Sequence, residues 1–367
     1  MIYKIVKKSK KSKARLGLLN TAHGKVRTPF FMPIATKASI KSLTVKEVKK
    51  LGAEMILSNT YYNYLKPGKN IFKKFKGLHN FMQSSLPILT DSGGYQVFSL
   101  ANLVKIKGDN IEFKSHLNGS KHILNPKKVI DIQVALNSDI IMVLDECVGL
   151  PIDKDNALLA LKRTTRWAKI SLDYKNKLNK ENKIINKQLI FAIIQGANYK
   201  DLRLRSSKEL VNMNFDGYAI GGLAVGESND IMYKVLDYTI PTLPENKPRY
   251  LMGVGYPENI IEAVKKGIDM FDCVIPTREA RHGKLYLKIK NNLRGNFYKT
   301  ININNSKFKN DKSSINNTSL KDYSKAYLHH LFKINEPLSL RLATINNLEF
   351  YLTLMKDIRK DIKDNRL

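Results

Sequence analysis

Short apolar segments alternate with helical patterns along most of this chain of 367 residues. Such alternation is typical of strand–helix units that assemble into a parallel β-sheet. The segments predicted as strands are Phe30–Ile34, Met55–Ser58, Pro87–Leu89, Asp139–Leu144, Leu189–Ile194, Gly217–Ile220, Tyr250–Val254 and Met270–Ile275. Eight such units predict an α/β fold of the (β/α)8 type, the TIM barrel, and a doubly wound open sheet is the alternative.

Helix signals lie between the predicted strands. Thr44-Val-Lys-Glu47 has the spacing of a capping box, in which two side chains bond reciprocally to the first turn of a helix. Asn156–Leu178 is long and amphipathic, and Pro257–Gly267 has a proline at a first-turn position, where no N–H is needed. We expect the last helix at Asn346–Ile362.

Two segments interrupt the alternation. Residues 101–124 contain Gly108-Asp-Asn110 and Asn118-Gly119, which predict antiparallel hairpins. A second interruption contains the polar run Asn302–Ser319. The first 27 residues look like a short β preface to the barrel.

These boundaries predict three regions. A β preface and a catalytic barrel occupy residues 1–283, and a small subdomain occupies residues 284–345. The last helix, in residues 346–367, is expected to pack back on the barrel.

The formal net charge of +31 and the pI near 9.9 indicate a polyanionic partner, of which nucleic acid is the commonest. Drift towards lysine and asparagine, visible in Lys175–Lys183, is the alternative explanation. Two cysteines, Cys147 and Cys273, give no disulfide framework, no apolar run is long enough to cross a membrane, and the N-terminus does not resemble a signal peptide. We therefore expect a cytoplasmic protein.

Residues at the C-terminal ends of the strands are the candidates for chemistry, because these ends form the active site of a TIM barrel. The segments at these ends are Asp91–Gln96, Asp145–Cys147, Gln195–Gly196 and Gly221–Gly226. The seventh predicted strand carries Met252–Gly255, and the eighth carries Asp272 and is followed by Pro276–Gly283. Exchange at a glycosidic bond with retention needs a carboxylate nucleophile and a second acid/base group, so the three aspartates suggest glycosidic chemistry. The alternative is that each aspartate caps a helix or closes a turn.

Other residues at these ends also have both a functional and a structural interpretation. Tyr95 and Met252 would sandwich a flat base, or belong to the core. Gly221-Gly222 would let a ligand reach the backbone, or satisfy a tight turn. Arg278 and Arg281 suit a phosphate backbone or a splayed nucleotide, or form a solvated surface pair.

Taken together, these segments resemble the bacterial tRNA-guanine transglycosylases, a family also called queuine tRNA-ribosyltransferases. The matching motifs are Leu89-Thr-Asp-Ser-Gly-Gly-Tyr-Gln96, Leu144-Asp-Glu-Cys147, Gln195-Gly196, Gly221-Gly-Leu-Ala-Val-Gly226, Tyr250-Leu-Met-Gly-Val-Gly255 and Phe271-Asp-Cys-Val-Ile-Pro-Thr-Arg278. The match runs from Thr28 to Gly283 and resumes at Tyr323–Leu331. Six motifs in order are a specific signal, whereas none of them is specific alone.

The resemblance implies an enzyme, a pentosyltransferase of the queuosine pathway. Such an enzyme removes guanine from the wobble position of tRNAs with GUN anticodons and inserts 7-aminomethyl-7-deazaguanine. The resemblance also implies that Asp272 is the nucleophile that attacks the ribose and holds the tRNA covalently. Asp91 is implied to be the acid/base residue that exchanges protons with the departing and incoming bases.

The resemblance assigns base binding to Asp91, Ser92, Tyr95, Asp145, Cys147, Gln195, Gly221, Gly222, Leu223 and Met252. It implies that Arg278 and Arg281 bind the nucleotides next to the guanosine that is exchanged. Cys147 and Val225 are similar to the bacterial form of the pocket, which takes the aminomethyl base. These assignments agree with what a flipped purine requires, namely a stacking platform and hydrogen bonds along its edge.

One region departs from the family pattern. The family has a zinc site, built from a Cys-x-Cys-x-x-Cys cluster and a histidine near the last helix. The corresponding positions here are Ile315, Asn317, Leu320 and Asn346, which offer no thiolate or imidazole. We therefore predict that zinc is absent, that no other cofactor is used, and that Ile315 and Leu320 turn inward to form a small apolar cluster. The resemblance also implies a homodimer. In the family this zinc-binding region supports the dimer, so the loss of the zinc ligands weakens the prediction of a homodimer here.

Two other functions are compatible with parts of the sequence. A catalytically silent tRNA-binding subunit would tolerate the lost zinc ligands, but the retention of Asp91, Asp145 and Asp272 argues against it. A sugar-active barrel glycosidase would use paired carboxylates, but Arg278, Arg281 and the positive charge disfavour it. The sequence therefore favours the transglycosylase, with tRNA and a deazaguanine base as its substrates and no association with membranes.

Overall fold

The computed structural model describes residues 1–100, 102–184 and 187–367 of the protein. Its strands, β1 to β17 in chain order, are Tyr3–Lys8, Arg15–Thr21, Gly24–Thr28, Phe30–Met32, Ile34–Ala35, Ile56–Ser58, Ile88–Thr90, Asn102–Lys107, Asn110–Lys114, Lys121–Leu124, Ile140–Met142, Leu189–Ile194, Gly217–Ile220, Arg249–Leu251, Met270–Asp272, Lys284–Lys288 and Tyr298–Asn302. Its helices, α1 to α13, are Val45–Lys50, Thr60–Leu65, Lys69–Lys74, Leu78–Met82, Gly94–Leu100, Pro126–Leu136, Lys154–Lys180, Lys200–Asn212, Asn229–Thr239, Pro257–Lys265, Ile275–Arg281, Lys325–Lys333 and Pro337–Lys363. Short 3-10 helices lie at Ile240–Thr242 and Ser306–Phe308.

The largest sheet is parallel and closes on itself, in the order β4, β15, β14, β13, β12, β11, β7, β6 and β5. β4 pairs with β15 and β5 pairs with β6, so the ring is complete. The predicted first strand, Phe30–Ile34, is split into β4 and β5 at Pro33, which has no N–H to donate to a neighbouring strand. The TIM barrel is confirmed, and the doubly wound open sheet is excluded.

The base of the barrel, where the strands begin, is covered by the antiparallel sheet of β1, β2 and β3. The Tyr3 hydroxyl donates to Asp269, just before β15, at 2.9 Å. The amide of His23, in the turn between β2 and β3, donates to Asp139, just before β11, also at 2.9 Å. The β preface therefore closes the base and leaves the opposite end of the barrel, which we call the mouth, to the loops.

The other predicted elements are largely confirmed. β8, β9 and β10 form the expected antiparallel sheet, and residue 101 of that segment lies outside the described residues. The capping box of α1 is present, because the Glu47 amide donates to Thr44 Oγ1 at 3.3 Å and the Thr44 amide donates to Glu47 Oε2 at 2.9 Å. None of the described helices is both long and apolar enough to cross a bilayer.

The last helix begins at Pro337 and not at Asn346 as predicted. Pro337 suits the first turn of a helix because its ring already has the required φ and no N–H is wanted there. The helix packs against α11, β16 and β4, and the Tyr351 hydroxyl donates to the Gly255 carbonyl at 2.6 Å. α13 therefore joins the small subdomain to the barrel and reaches a loop at the mouth.

The small subdomain has an apolar core of its own. Ile315 and Leu320 are buried, with 1% and 3% of their surface exposed, as predicted for these positions. They share a cluster with apolar residues from β16, α12 and α13, namely Leu285, Leu287, Leu328, Leu331, Leu342 and Ala343, and with Ile303, Phe308 and Ala280. Packing of apolar side chains therefore holds this region together.

Candidate active site

The mouth of the barrel brings the three predicted aspartates together. Asp91 follows β7 directly, Asp145 lies three residues after β11, and Asp272 ends β15. All three are buried, with 7%, 4% and 9% of their surface exposed. The charge of Asp272 contributes to the raised pKa of Asp91, which shows that these two carboxyl groups lie close enough to interact.

Asp91 is held by neutral donors. The Thr60 amide donates to its Oδ1 at 2.8 Å, and the side chains of Gln96, at 3.1 Å, and Asn59 donate to its Oδ2. Burial raises the pKa of Asp91 to about 6, against the lowering effect of the bonds from Thr60 and Asn59. Since this pKa is near neutrality, the group is suited to both giving and taking a proton.

Asp272 directs one oxygen towards the barrel wall. Its Oδ1 accepts from the Tyr250 hydroxyl at 2.5 Å and from the Gly253 amide at 2.9 Å. Burial raises the pKa of Asp272, and these two hydrogen bonds lower it. The hydrogen bonds that this carboxylate accepts within the described residues all end on Oδ1, which leaves Oδ2 for attack on a substrate.

Asp145, Ser92 and Gln195 form a connected group. Ser92 Oγ donates to Asp145 Oδ1, and Gln195 Nε2 donates to Asp145 Oδ2, both at 2.8 Å. Burial raises the pKa of Asp145 and the two hydrogen bonds lower it. The buried Gln195 Oε1 has no hydrogen-bond partner among the described residues. Because an unpaired buried acceptor costs about 1–3 kcal/mol, a ligand that donates here would gain affinity.

The loop after β13 passes close to Gln195. An ideal Cβ on Gly222 would lie 2.5 Å from Gln195 Oε1, and φ of Gly222 is +63°. Both observations require glycine at this position. Burial raises the pKa of the Cys147 thiol to about 12, against a lowering effect of the nearby Gly222 backbone. Cys147 is therefore a neutral thiol on the pocket wall and not a nucleophile.

The remaining predicted base-binding residues also lie at the mouth. Leu223 is buried beside Gly222, and Met252 directly follows β14 and is only partly buried. Tyr95, on α5, is 54% exposed, so its interpretation as a core residue is wrong. An exposed aromatic ring at an active-site mouth is a surface on which a base can stack.

Arg278 and Arg281 lie on α11, the helix that follows Asp272. Half of the Arg278 side chain is exposed, and its Nη2 lies 3.8 Å from Glu279. Arg281 donates to the Thr277 carbonyl at 2.9 Å, and burial together with the charge of Arg278 lowers its pKa. The two positive charges are thus neighbours at the mouth.

The positions that correspond to the family's zinc ligands do not fit a metal. Ile315 and Leu320 have no donor atom and point into the apolar core. Asn317 is exposed, and Asn346 Nδ2 donates to the Tyr286 carbonyl and to Asn347 Oδ1, both at 3.0 Å. A structural zinc site takes four ligands, mostly thiolate and imidazole, and this set supplies none.

Several residues of the site were not predicted from the sequence. Asn59 and Thr60, which hold Asp91, follow β6, and a polar pair after an apolar run was the signal available for them. Tyr250 and Gly253, which hold Asp272, lie inside a recognised motif but had no role assigned. Because these contacts join separate strands, only the closed barrel reveals them.

Comparisons with known proteins agree with this geometry. The family described as queuine tRNA-ribosyltransferase matches residues 9–367. A queuine tRNA-ribosyltransferase from Caldanaerobacter subterraneus subsp. tengcongensis is 48% identical over 369 residues, covering 100% of this chain and 94% of the relative. Proteins of the same name from Dictyoglomus turgidum and Staphylococcus haemolyticus are 47% and 46% identical, covering 100% of this chain and 92% and 93% of theirs. The chain therefore belongs to the queuine tRNA-ribosyltransferase family.

Proposed function

We propose that the protein is a tRNA-guanine transglycosylase that exchanges guanine at the wobble position of tRNA for 7-aminomethyl-7-deazaguanine. The observation that carries this proposal is the trio of buried aspartates at the mouth, each hydrogen bonded to neutral groups. Carboxyl groups with raised pKa values in a cleft are suited to nucleophilic and acid/base work.

In the first half of the reaction, Oδ2 of Asp272 attacks C1′ of the ribose. The C1′–N9 bond breaks, its electron pair leaves with guanine, and the protonated carboxyl group of Asp91 gives its proton to the base. In the second half, N9 of the incoming base attacks C1′ and releases the Asp272 carboxylate, and Asp91 takes the proton of that base. Both carboxyl groups return to their initial states, as double displacement with retention requires.

The base pocket would be formed by the group around Asp145. Its carboxylate suits the N1–H and 2-amino donors of guanine, and amide N–H groups of the loop after β13 suit the 6-oxo group. Tyr95 and Met252 would stack on the two faces of the base. Arg278 and Arg281 would hold phosphates or bases of the adjoining nucleotides.

Incorporation of radiolabelled guanine into tRNA tests the proposal. Transcripts with a GUN anticodon should take up label, and matched transcripts with adenine at the wobble position should take up none. Without free base, the enzyme and tRNA should form an adduct that survives denaturation. If tRNA binds but neither label nor adduct forms, the protein is the catalytically silent subunit instead.

The net charge of +31 supports tRNA as the partner. Because phosphate contacts release counterions, affinity for tRNA should fall steeply, by about a hundredfold or more, between 50 and 200 mM salt. Affinity for free guanine serves as the control and should hardly change. Equal salt dependence of the two would favour compositional drift as the origin of the charge.

We infer that the small subdomain holds no zinc. Purified protein should contain far less than one zinc per chain by elemental analysis, and a chelator should leave its melting temperature and exchange activity unchanged, because no metal-linked folding energy can be removed. Stoichiometric zinc that is lost together with activity would contradict this. The domain boundaries, the cytoplasmic location and the homodimer stay predictions from the sequence.

A further inference from the structure

Arg203 lies behind the base pocket and has no role in the proposed reaction. It is on α8, and none of its surface is exposed. A buried guanidinium is usually paired with a carboxylate. Arg203 has no carboxylate within 4.0 Å in the part of the chain that the structure describes, and its hydrogen bonds end on carbonyl oxygens.

The four carbonyls belong to the two segments that form the recognition edge. Nε donates to Ala197 at 2.8 Å and Nη1 donates to Ile194 at 2.9 Å, and these residues flank Gln195. Nη1 also donates to Gly221 at 2.7 Å, and Nη2 donates to Gly222 at 3.1 Å. One planar group therefore clamps the ends of β12 and β13 together.

This clamp determines where the loop amides point. The peptide bonds after Gly221 and Gly222 are trans, so in each the N–H points away from the carbonyl. Since both carbonyls face Arg203, the N–H groups of Gly222 and Leu223 face away from it. The Gly222 backbone lowers the pKa of the Cys147 thiol, which agrees with an N–H directed towards the side of the pocket where Cys147 lies.

We infer that Arg203 is a positioning residue, which aims the Gly222 and Leu223 amides at the 6-oxo group of the base. This role rests on the proposed function. It makes the Arg203 guanidinium the group through which the pocket prefers a 6-oxopurine. A donor on the carbonyl of a peptide also polarises the N–H of the same peptide, so the cation strengthens the two amides as well as orienting them. Burial lowers the pKa of Arg203 only to about 10, so its charge is present at neutral pH.

Arg203→Lys keeps the positive charge but cannot span four carbonyls with a rigid fork. Arg249 offers a matched control. It is also buried, with 6% of its surface exposed, and it also donates to a backbone carbonyl, that of Leu243, at 3.1 Å. Unlike Arg203, it lies at the base of the barrel, away from the base pocket. Arg249→Lys should therefore lower stability without changing the base pocket. Melting curves of both variants establish that each is folded, and Arg203→Gln replaces Arg203→Lys if the lysine variant does not fold.

Equilibrium dialysis without tRNA measures the affinity for guanine, hypoxanthine and 2-aminopurine. Guanine and hypoxanthine share the 6-oxo group, which 2-aminopurine lacks, whereas hypoxanthine lacks the 2-amino group that Asp145 would bind. In Arg203→Lys, Kd should rise about tenfold for the two 6-oxopurines and stay unchanged for 2-aminopurine. In Arg249→Lys, all three Kd values should equal those of the wild type.

The outcomes separate the inference from the function on which it rests. If the wild type binds no guanine, the proposed function fails and the inference fails with it. If the wild type binds guanine but Arg203→Lys weakens all three bases equally, or none of them, only the inference is overturned. A similar pattern in Arg249→Lys would also overturn it, because general loosening of the barrel would then explain the effect.

Discussion

The two ends of the barrel use buried aspartates in opposite ways. At the base, Asp269 accepts from Arg15 Nη2 at 2.6 Å and Nε at 3.0 Å, and from the Tyr3 hydroxyl at 2.9 Å. Asp139, also at the base, accepts from the ring and the amide of His23, each at 2.9 Å. At the mouth, Asp91, Asp145 and Asp272 accept from amides and hydroxyl groups that carry no charge.

The pKa values follow this difference. A hydrogen bond from His23 and the nearby His79 ring, whose Nε2 lies 3.2 Å from Asp139 Oδ2, hold the pKa of Asp139 well below its usual range, although burial alone would raise it. At the mouth burial prevails and raises the pKa of all three aspartates. Carboxylates with charged partners keep their charge and stabilise the fold, whereas those without such partners can change protonation state and react. Burial alone therefore does not distinguish a structural aspartate from a catalytic one.

Replacing Asp272 should have the largest effect on activity of the variants considered. Asp272→Asn keeps an oxygen to accept from Tyr250 and Gly253 but removes the nucleophile, so guanine exchange should fall by about a thousandfold or more and the covalent adduct should disappear. The melting temperature should stay the same or rise, because a buried charge is lost. Exchange at a comparable rate would show that another group attacks the ribose.

The reciprocal variant at the base is Asp269→Asn. It leaves the Arg15 guanidinium buried without its counter-charge, so the free energy of unfolding in urea should fall by about 3–5 kcal/mol. Exchange activity per folded molecule should match the wild type, because Asp269 lies at the far end of the strands. A large loss of activity with unchanged stability would remove the distinction between the two ends.

The pH dependence of stability sharpens the comparison at Asp91. Its folded pKa of about 6 lies above the value of about 3.9 for an unfolded aspartate, so the charged form is disfavoured in the fold. Ionisation of Asp91 should therefore lower the stability of the wild type as pH rises from about 4 to 6.5. Asp91→Asn cannot ionise, so its stability relative to the wild type should improve across that window by up to about 2 kcal/mol. A constant difference between the two proteins would contradict the raised pKa.

Replacing His23 should change the pH dependence of stability less than replacing Asp91 does, and here the folded state favours the charged form. Its hydrogen bond to Asp139 raises the pKa of His23, so this pair stabilises the fold fully below the unfolded value of about 6.5. The contribution is lost as pH rises through the folded pKa, and His23→Gln should remove a pH-dependent term of about 1 kcal/mol or less. His282→Gln, at an exposed histidine, is the control and should keep the wild-type profile. Identical profiles for all three proteins would show that the pair does not contribute.

The barrel was predictable because its strands are short, mostly apolar runs that alternate with helical patterns. Leu189–Ile194 is buried at every position, as a strand covered on both faces must be. The start of the last helix was missed because Pro337 was not taken as a helix start, although proline is favoured in the first turn. Boundaries depend on such single residues, whereas the alternation depends on many.

The site was predictable only as far as the strand ends allowed. Asp91 and Asp145 follow strands and Asp272 is the last residue of one, so the fold itself brings them to one end. Asp139 and Asp269 are equally buried, but they precede their strands, and nothing in the sequence distinguishes their partners, His23 and Arg15. Those partners come from a separate sheet, so their contacts depend on how the preface packs on the barrel.

Closure of the ring between β4 and β15 has a consequence for synthesis on the ribosome. Met32 pairs with Asp272, the proposed nucleophile, so roughly 240 residues must be translated before the first barrel strand meets its last neighbour. At elongation rates of about 5–20 residues per second this takes about 12 s or longer. Until then the nascent chain carries an unpaired parallel edge and an incomplete mouth. The mouth is therefore complete only near the end of translation, and until then the open strand edge offers backbone groups with which another chain could pair.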